Sequence, residues 1–304
     1  MNVNLLNRIY ESASWRSRHA YQTCRRHVFR FLVSLPLTGT VLYRYRSLAE
    51  PRFRSENKVP VVMCTWRRLE RLHRTLAMLE SQRNVDVKLF IWNNNCLRRK
   101  SLDTTIKSYN GIEVEVIHSL YNIGGFGRFY AARQISDKYP SVVFIDDDQN
   151  LEEDAISRLW LEREESSISS VWAFNFTDPI EYLNRSPADP GEPATYCGTG
   201  GMVCPSWIFE KGALFENCPR KFWFIEDLWL SYFANHCLGL NLRKSKAQIR
   251  IEDDGKDQAG RLLSLKDEFL QKLVAEGWDL SPEPSQMRCV DAQHSESDDD
   301  LSLK

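Results

Sequence analysis

The sequence contains no C-x-x-C pair and no zinc-type cysteine spacing; its eight cysteines fall irregularly over 304 residues. That pattern excludes a disulfide scaffold and leads us to expect free thiols in a reducing compartment. No run of eighteen uncharged apolar residues occurs, because the best stretch, residues 28–43, is broken by Arg30, Pro36 and Gly39. It is too short and too polar for a membrane span. An excess of either charge is also missing: 40 Lys and Arg against 41 Asp and Glu give a net charge of -1. No global attraction to nucleic acid or anionic membranes follows, and no nucleic-acid partner is expected. Neither G-x-x-x-x-G-K-[ST] nor a G-x-G-x-x-G after the first strand is present, so a Walker loop and a dinucleotide fingerprint are excluded. What is present is a hydrophobic share of 42%, enough to build the core of one large domain or two small ones.

Three regions differ in texture. Residues 1–58 are basic and aromatic-rich, with Arg16, Arg18, Arg25, Arg26 and Arg30 among Trp15, Tyr21, Phe29 and Phe31. This reads as a helical N-terminal extension that either packs on the main domain or contacts a membrane peripherally. Residues 59–281 alternate short β-branched apolar runs (59–64, 87–92, 114–118, 142–145, 170–174) with helical stripes such as Leu69, Leu72, Leu76 and Leu79. The alternation predicts an α/β domain with a mostly parallel sheet flanked by helices, whose ligands bind beyond the carboxyl ends of the strands. Residues 282–304 are acidic, nearly free of large apolar residues, and expected to be disordered.

Chemistry is therefore sought at the strand ends. The run Val142–Ile145 stops at Asp146, Asp147 and Asp148. In extended backbone the first and third alternate onto one side, where they can hold a hard divalent cation; the plain alternative is a solvated acidic turn opening a helix. Asn122-Ile123-Gly124-Gly125-Phe126-Gly127-Arg128 follows another run, and its glycines would let backbone amides approach a phosphate or ribose, or simply let a helix start pack closely. Thr65-Trp66-Arg67-Arg68 and Asn93-Asn94-Asn95 end the first two runs; they can stack on and hydrogen-bond a nucleobase, or serve as turn formers. In Trp223-Phe224-Ile225-Glu226-Asp227 two acids head a helix, as a proton acceptor or as a cap.

The ordered motifs V-P-V-V-M-C-T-W-R-R, N-N-N-C, N-I-G-G-F-G-R-F, F-I-D-D-D and W-F-I-E-D make residues 59–254 resemble the family 2 glycosyltransferases of GT-A type nucleotide-sugar-binding fold. The three consecutive aspartates look most like its galactofuranosyltransferase branch. The resemblance implies an inverting hexosyltransferase that uses Mg²⁺ or Mn²⁺ and a nucleoside-diphosphate donor such as UDP-galactofuranose. Its acceptor would be a glycan or lipid-linked hydroxyl in surface polysaccharide synthesis. By motif, Asp146 and Asp148 would bind the metal and Asp227 would be the general base, with neighbouring Glu226 as the other carboxylate in that role. Thr65, Trp66, Arg67 and Asn93 would surround the nucleotide, Asn122 and Gly125 the donor, with Asp147 beside them; Gly200, Gly201 and Trp223 would shape the acceptor side. The branch often adds a histidine metal ligand where this chain has Ile251-Glu252-Asp253-Asp254, so Glu252 or Asp253 is expected to replace it. The expected location is cytoplasmic, with the basic arm as the candidate contact to the inner face of a membrane. Two other readings remain: a metal-dependent nucleotidyltransferase, and a non-catalytic module that binds a sugar nucleotide or a partner.

Overall fold

The computed structural model describes residues 43–49, 58–252 and 259–280. The expectations for residues 1–42, for the tail 282–304 and for Asp253 lie outside the described residues. The first part of the chain runs β1 (Tyr43–Ala49), β2 (Val59–Thr65), α1 (Leu72–Glu80), β3 (Val87–Asn93), α2 (Arg99–Lys107), β4 (Glu113–Ser119), α3 (Gly127–Arg133) and β5 (Ser141–Ile145). It continues through β6 (Gln149–Leu151), α4 (Ala155–Leu161), β7 (Ser167–Ser170), β8 (Ala173–Phe176), β9 (Arg185–Pro187), β10 (Tyr196–Cys197) and β11 (Met202–Pro205). The remainder is α5 (Gly212–Glu216), α6 (Glu226–Tyr232), β12 (Asn241–Lys244), β13 (Ile249–Ile251) and α7 (Leu263–Ala275).

An eight-stranded sheet in the order β1-β4-β3-β2-β5-β11-β7-β12 carries the fold. Its block β4-β3-β2-β5 is parallel, because each strand returns through a crossover that places a helix on one face. Such strands are buried on both sides and need apolar residues at every position. Accordingly Val61 and Met63 of β2 face one core cluster with Leu76 and Leu79 of α1, while Val62 joins Trp92, Phe126, Phe129 and Phe144 in the other. Beyond β5 the sheet turns mixed, with β11 antiparallel to both β5 and β7, and β12 parallel to β7. The parallel strands therefore end on one edge, and that edge holds the site.

Two expectations are corrected. Tyr43–Ala49, assigned above to a helical extension, is a strand that pairs antiparallel with β4. Its Tyr-Arg-Tyr-Arg start has a period of two, and it covers the β4 edge that would otherwise be unpaired. The apolar run 170–174 is likewise not one strand. It divides between β7 of the large sheet and β8 of a three-stranded sheet β10-β8-β9, and the Ser170 hydroxyl holds the break by donating to Gly198 O at 2.6 Å.

Helix α7 closes the far side through Phe269, whose fully buried ring stacks on Phe222 with centroids 3.9 Å apart. Removing such a ring costs its burial and leaves a cavity. Phe269→Ala should lower unfolding free energy by about 3–5 kcal/mol in urea titration; a change below about 1 kcal/mol would show that α7 is not part of the cooperative core.

Candidate active site

One cleft lies across the carboxyl ends of β2, β3 and β5. It is lined by Thr65, Trp66, Arg67 and Arg68 after β2, Asn94 after β3, Asn122, Gly124, Gly125 and Arg128 around the start of α3, Asp146 to Asp148 after β5, and Phe224 and Glu226 before and at α6. Asn93, Gly200, Gly201, Trp223, Asp227 and Glu252 are not in this lining.

The three asparagines build the cleft rather than face it equally. Asn94 Oδ1 accepts from Trp92 Nε1 at 3.1 Å and from the Ile123 N–H at 3.0 Å, and its Nδ2 donates to Gly124 O at 2.9 Å. This side chain ties the end of β3 to the glycine turn. Asn93 turns inward, its Oδ1 accepting the Asn95 N–H at 2.9 Å and its Nδ2 3.0 Å from His118 Nδ1, while His118 Nε2 lies 3.0 Å from Asp103. Asn93, expected beside the nucleotide, thus has both amide ends engaged in the core. Asn95 Nδ2 donates to Trp66 O at 3.0 Å and fixes the turn after β2, where the Arg67 guanidinium lies 3.7 Å from the centre of the Trp66 ring.

The opposite wall is charged. Arg68 Nη1 sits 3.1 Å from Asp147 and 3.2 Å from Asp148. Arg128, only 4% exposed, bridges Asp146 (Nη2–Oδ1, 2.7 Å) and Glu226 (Nε–Oε1, 3.3 Å). Burial alone would lower the guanidinium's proton affinity, but Asp146 and Glu226 more than offset this and hold it above its ordinary value. Burial raises Asp147 against the opposing pull of Arg68. Burial, followed by repulsion from Asp146, pushes Asp148 up to about 6. Glu226 also accepts from Thr199 Oγ1 at 3.2 Å, and burial pushes it up to about 7 against the pull of Arg128. Two glycines make room for these carboxylates: a Cβ on Gly125 would lie 1.7 Å from Glu226 Oε1, and one on Gly200 2.2 Å from Asp146 Oδ2.

The expected metal residues are only partly gathered. Asp146 and Asp148 flank the cleft, whereas Glu252 is held away by Arg71 at 3.1 Å, Arg74 at 2.7 Å and Asn150 at 3.1 Å. Its backbone N–H donates to Asp148 O at 2.9 Å. Among the described residues no group of three or more His, Cys, Asp and Glu side chains is arranged to hold a metal ion. Chemically the acids at the cleft do fit a hard cation: they offer oxygen donors, and the repulsion between Asp146 and Asp148 would be relieved by added positive charge.

On the expected acceptor side, Trp223 is a core residue, stacked on Phe126 at 5.0 Å and donating from Nε1 to Cys218 O at 3.4 Å. Its neighbour Phe224 takes the cleft wall. Gly201, at φ +74°, serves the backbone turn into β11, and its N–H donates to Phe144 O at 2.8 Å. Asp227, outside the lining, is held by Tyr196 and Lys266, and its side chain is 18% exposed. The sequence offered Arg68 and Asn94 only together with their neighbours, as a nucleobase contact, and gave no role to Arg128 or Phe224. Each stood within a quoted motif, yet only the packing tells which neighbour faces the cleft.

No protein-family model matches the chain, and no curated protein matches it. Among solved structures, S. aureus TarS 1-349 in complex with UDP shares 14% identity at a TM-score of 0.46, over 72% of this chain and 70% of that one. The same protein in complex with UDP-GlcNAc shares 13% identity at a TM-score of 0.43, over 72% and 71%. TarS itself shares 13% at 0.44, over 72% of this chain and 42% of its own. Likenesses this distant give no residue-by-residue correspondence. Among the described residues no helix is long and apolar enough to cross a membrane.

Glu226 has a consequence for stability. Its folded-state proton affinity exceeds that of a free carboxyl, so the folded chain binds the extra proton and loses stability as pH rises through the window between about 4.5 and about 7. Glu226→Gln removes that slope. The variant's stability relative to wild type should rise between pH 5 and pH 8 in urea titrations; a constant difference would show that Glu226 titrates normally.

Proposed function

We propose that the chain is an inverting glycosyltransferase of GT-A type, moving a sugar from a nucleoside-diphosphate donor to a hydroxyl of a glycan or lipid-linked acceptor. The observation that carries this reading is a single cleft in which a Trp–Arg stack, two arginines, three aspartates and a buried glutamate converge from four distant parts of the chain. The flat face of Trp66, with Thr65 and Arg67, suits a nucleobase and ribose. Arg68 and Arg128 set positive charge where a diphosphate would lie. Asp146 and Asp148 would hold Mg²⁺ or Mn²⁺, and such an ion, once bound, supplies charge neutralisation for the leaving diphosphate.

The two acids at the start of α6 divide the remaining work. Glu226 lines the cleft and is 6% exposed, so a donor sugar beside Gly125 would cover it, and its carboxylate suits the sugar hydroxyls. Asp227 lies outside the lining and stays partly exposed, so an acceptor can reach it after the donor has filled the cleft. It is the base that takes the acceptor proton. UDP-sugars are the first donors to try, UDP-galactofuranose among them on account of the three consecutive aspartates.

Two variants test this reading. A UDP-sugar with Mn²⁺ should raise the melting temperature of the wild-type chain. Asp148→Asn should lose the Mn²⁺-dependent part of that rise together with transfer, and keep its ligand-free melting temperature. Full activity of this variant in excess EDTA would contradict the metal role. Asp227→Asn, nearly isosteric, should slow transfer by roughly 100-fold or more with donor affinity unchanged. Retained turnover would move the base to Glu226.

A further inference from the structure

Outside the cleft lining a buried titratable group lies beside Asp227. Lys266, on α7, is 8% exposed, and a buried ammonium is costly unless it is paired and hydrogen-bonded. Its Nζ donates to Tyr182 OH at 2.7 Å and lies 3.8 Å from Asp227 Oδ2. Tyr182 OH lies 3.1 Å from Tyr196 OH, and Tyr196 OH donates to Asp227 Oδ2. Both phenols are buried, and burial, reinforced by Asp227, keeps the Tyr196 hydroxyl protonated far above its ordinary value.

The direction of this chain is fixed by counting protons. An ammonium can only donate, so Tyr182 oxygen accepts from Lys266. The single proton of Tyr196 goes to Asp227, so at the Tyr182–Tyr196 contact Tyr182 is the donor. Every bond then points from the ammonium toward the carboxylate, and Oδ2 of Asp227 can only accept. Oδ1 receives the Leu228 N–H at 2.9 Å and, as a carboxylate oxygen, keeps further lone-pair capacity. The surrounding rings hold the chain in place: Arg185 covers Tyr182 at 3.8 Å, and Phe174 stacks on Tyr196 with centroids 6.1 Å apart.

We infer that Lys266, acting through Tyr182 and Tyr196, is a positioning residue that fixes the Asp227 carboxylate as a proton acceptor for the incoming hydroxyl. The inference rests on Asp227 being the base. Helix α7, which carries none of the quoted motifs, then helps to position the base.

Tyr196→Phe keeps the ring and removes the hydroxyl that accepts from Tyr182 and donates to Asp227. It should lower kcat for transfer roughly 10- to 100-fold, the effect of one hydrogen bond to a charged group. The donor dissociation constant should stay at the wild-type value, while melting temperature falls only by what one lost buried hydrogen bond costs. Lys266→Met should lower kcat in the same way, and Lys266→Arg should recover part of the loss by restoring the charge. A purely structural role would instead lower donor binding together with kcat, with no gain in kcat from Arg over Met. Asp227→Asn, measured alongside, separates the two claims. If it is inactive while Tyr196→Phe turns over at the wild-type rate, the positioning chain is refuted and the base stands; if Asp227→Asn itself turns over normally, the base assignment fails first.

Discussion

The structure depends on a guanidinium buried between two carboxylates that come from distant parts of the chain. Arg128, from α3, meets Asp146 at the end of β5 and Glu226 at the start of α6. Removing Arg128 would leave the buried Glu226 and its neighbour Asp146 without their shared counter-charge, at a cost of about 3–5 kcal/mol. The arrangement thus locks the strand-end acids, the glycine turn and the α6 acids into one rigid wall. It also explains why the chain spends no side-chain volume at Gly125 and Gly200, where a methyl group would displace Glu226 or Asp146.

Much of this plan was legible in the sequence, and the reason is period and adjacency. Doubly buried parallel strands require unbroken β-branched runs, and such runs are visible without a structure. Because parallel strands end on one edge, the polar residues after each run were bound to meet, and Thr65, Trp66, Arg67, Asn122, Gly125, Asp146 to Asp148 and Glu226 do line one cleft. What stayed hidden depends on single-residue parity or on long-range pairing. Asn94 rather than Asn93, and Phe224 rather than Trp223, face the cleft because side chains of adjacent residues point to different sides. The antiparallel insertion of β11 between β5 and β7 joins segments with no local signal for each other. Tyr43–Ala49 reads as a strand only once its alternation is weighed above the helical texture of the arm before it.

The same adjacency separates two acids that sequence alone could not tell apart. Consecutive residues at a helix start project about 100° apart, so Glu226 enters the cleft with Arg128 and Thr199 while Asp227 meets Tyr196 and Lys266. In the proposed function one carboxylate would be sealed by the donor and the other left to the acceptor. A displacement on a sugar carbon needs this division, since the leaving diphosphate and the attacking hydroxyl occupy opposite faces.

The central claim is that the cleft binds a sugar donor and releases its nucleoside diphosphate. Phosphorus NMR of the purified chain with a panel of UDP-sugars, Mn²⁺ and glycan acceptors reads this directly. The account predicts acceptor-dependent appearance of UDP; release of sugar 1-phosphate instead, by cleavage of the P–O–P bridge with the uridylyl group passing to the acceptor, would contradict it and make the chain a nucleotidyltransferase.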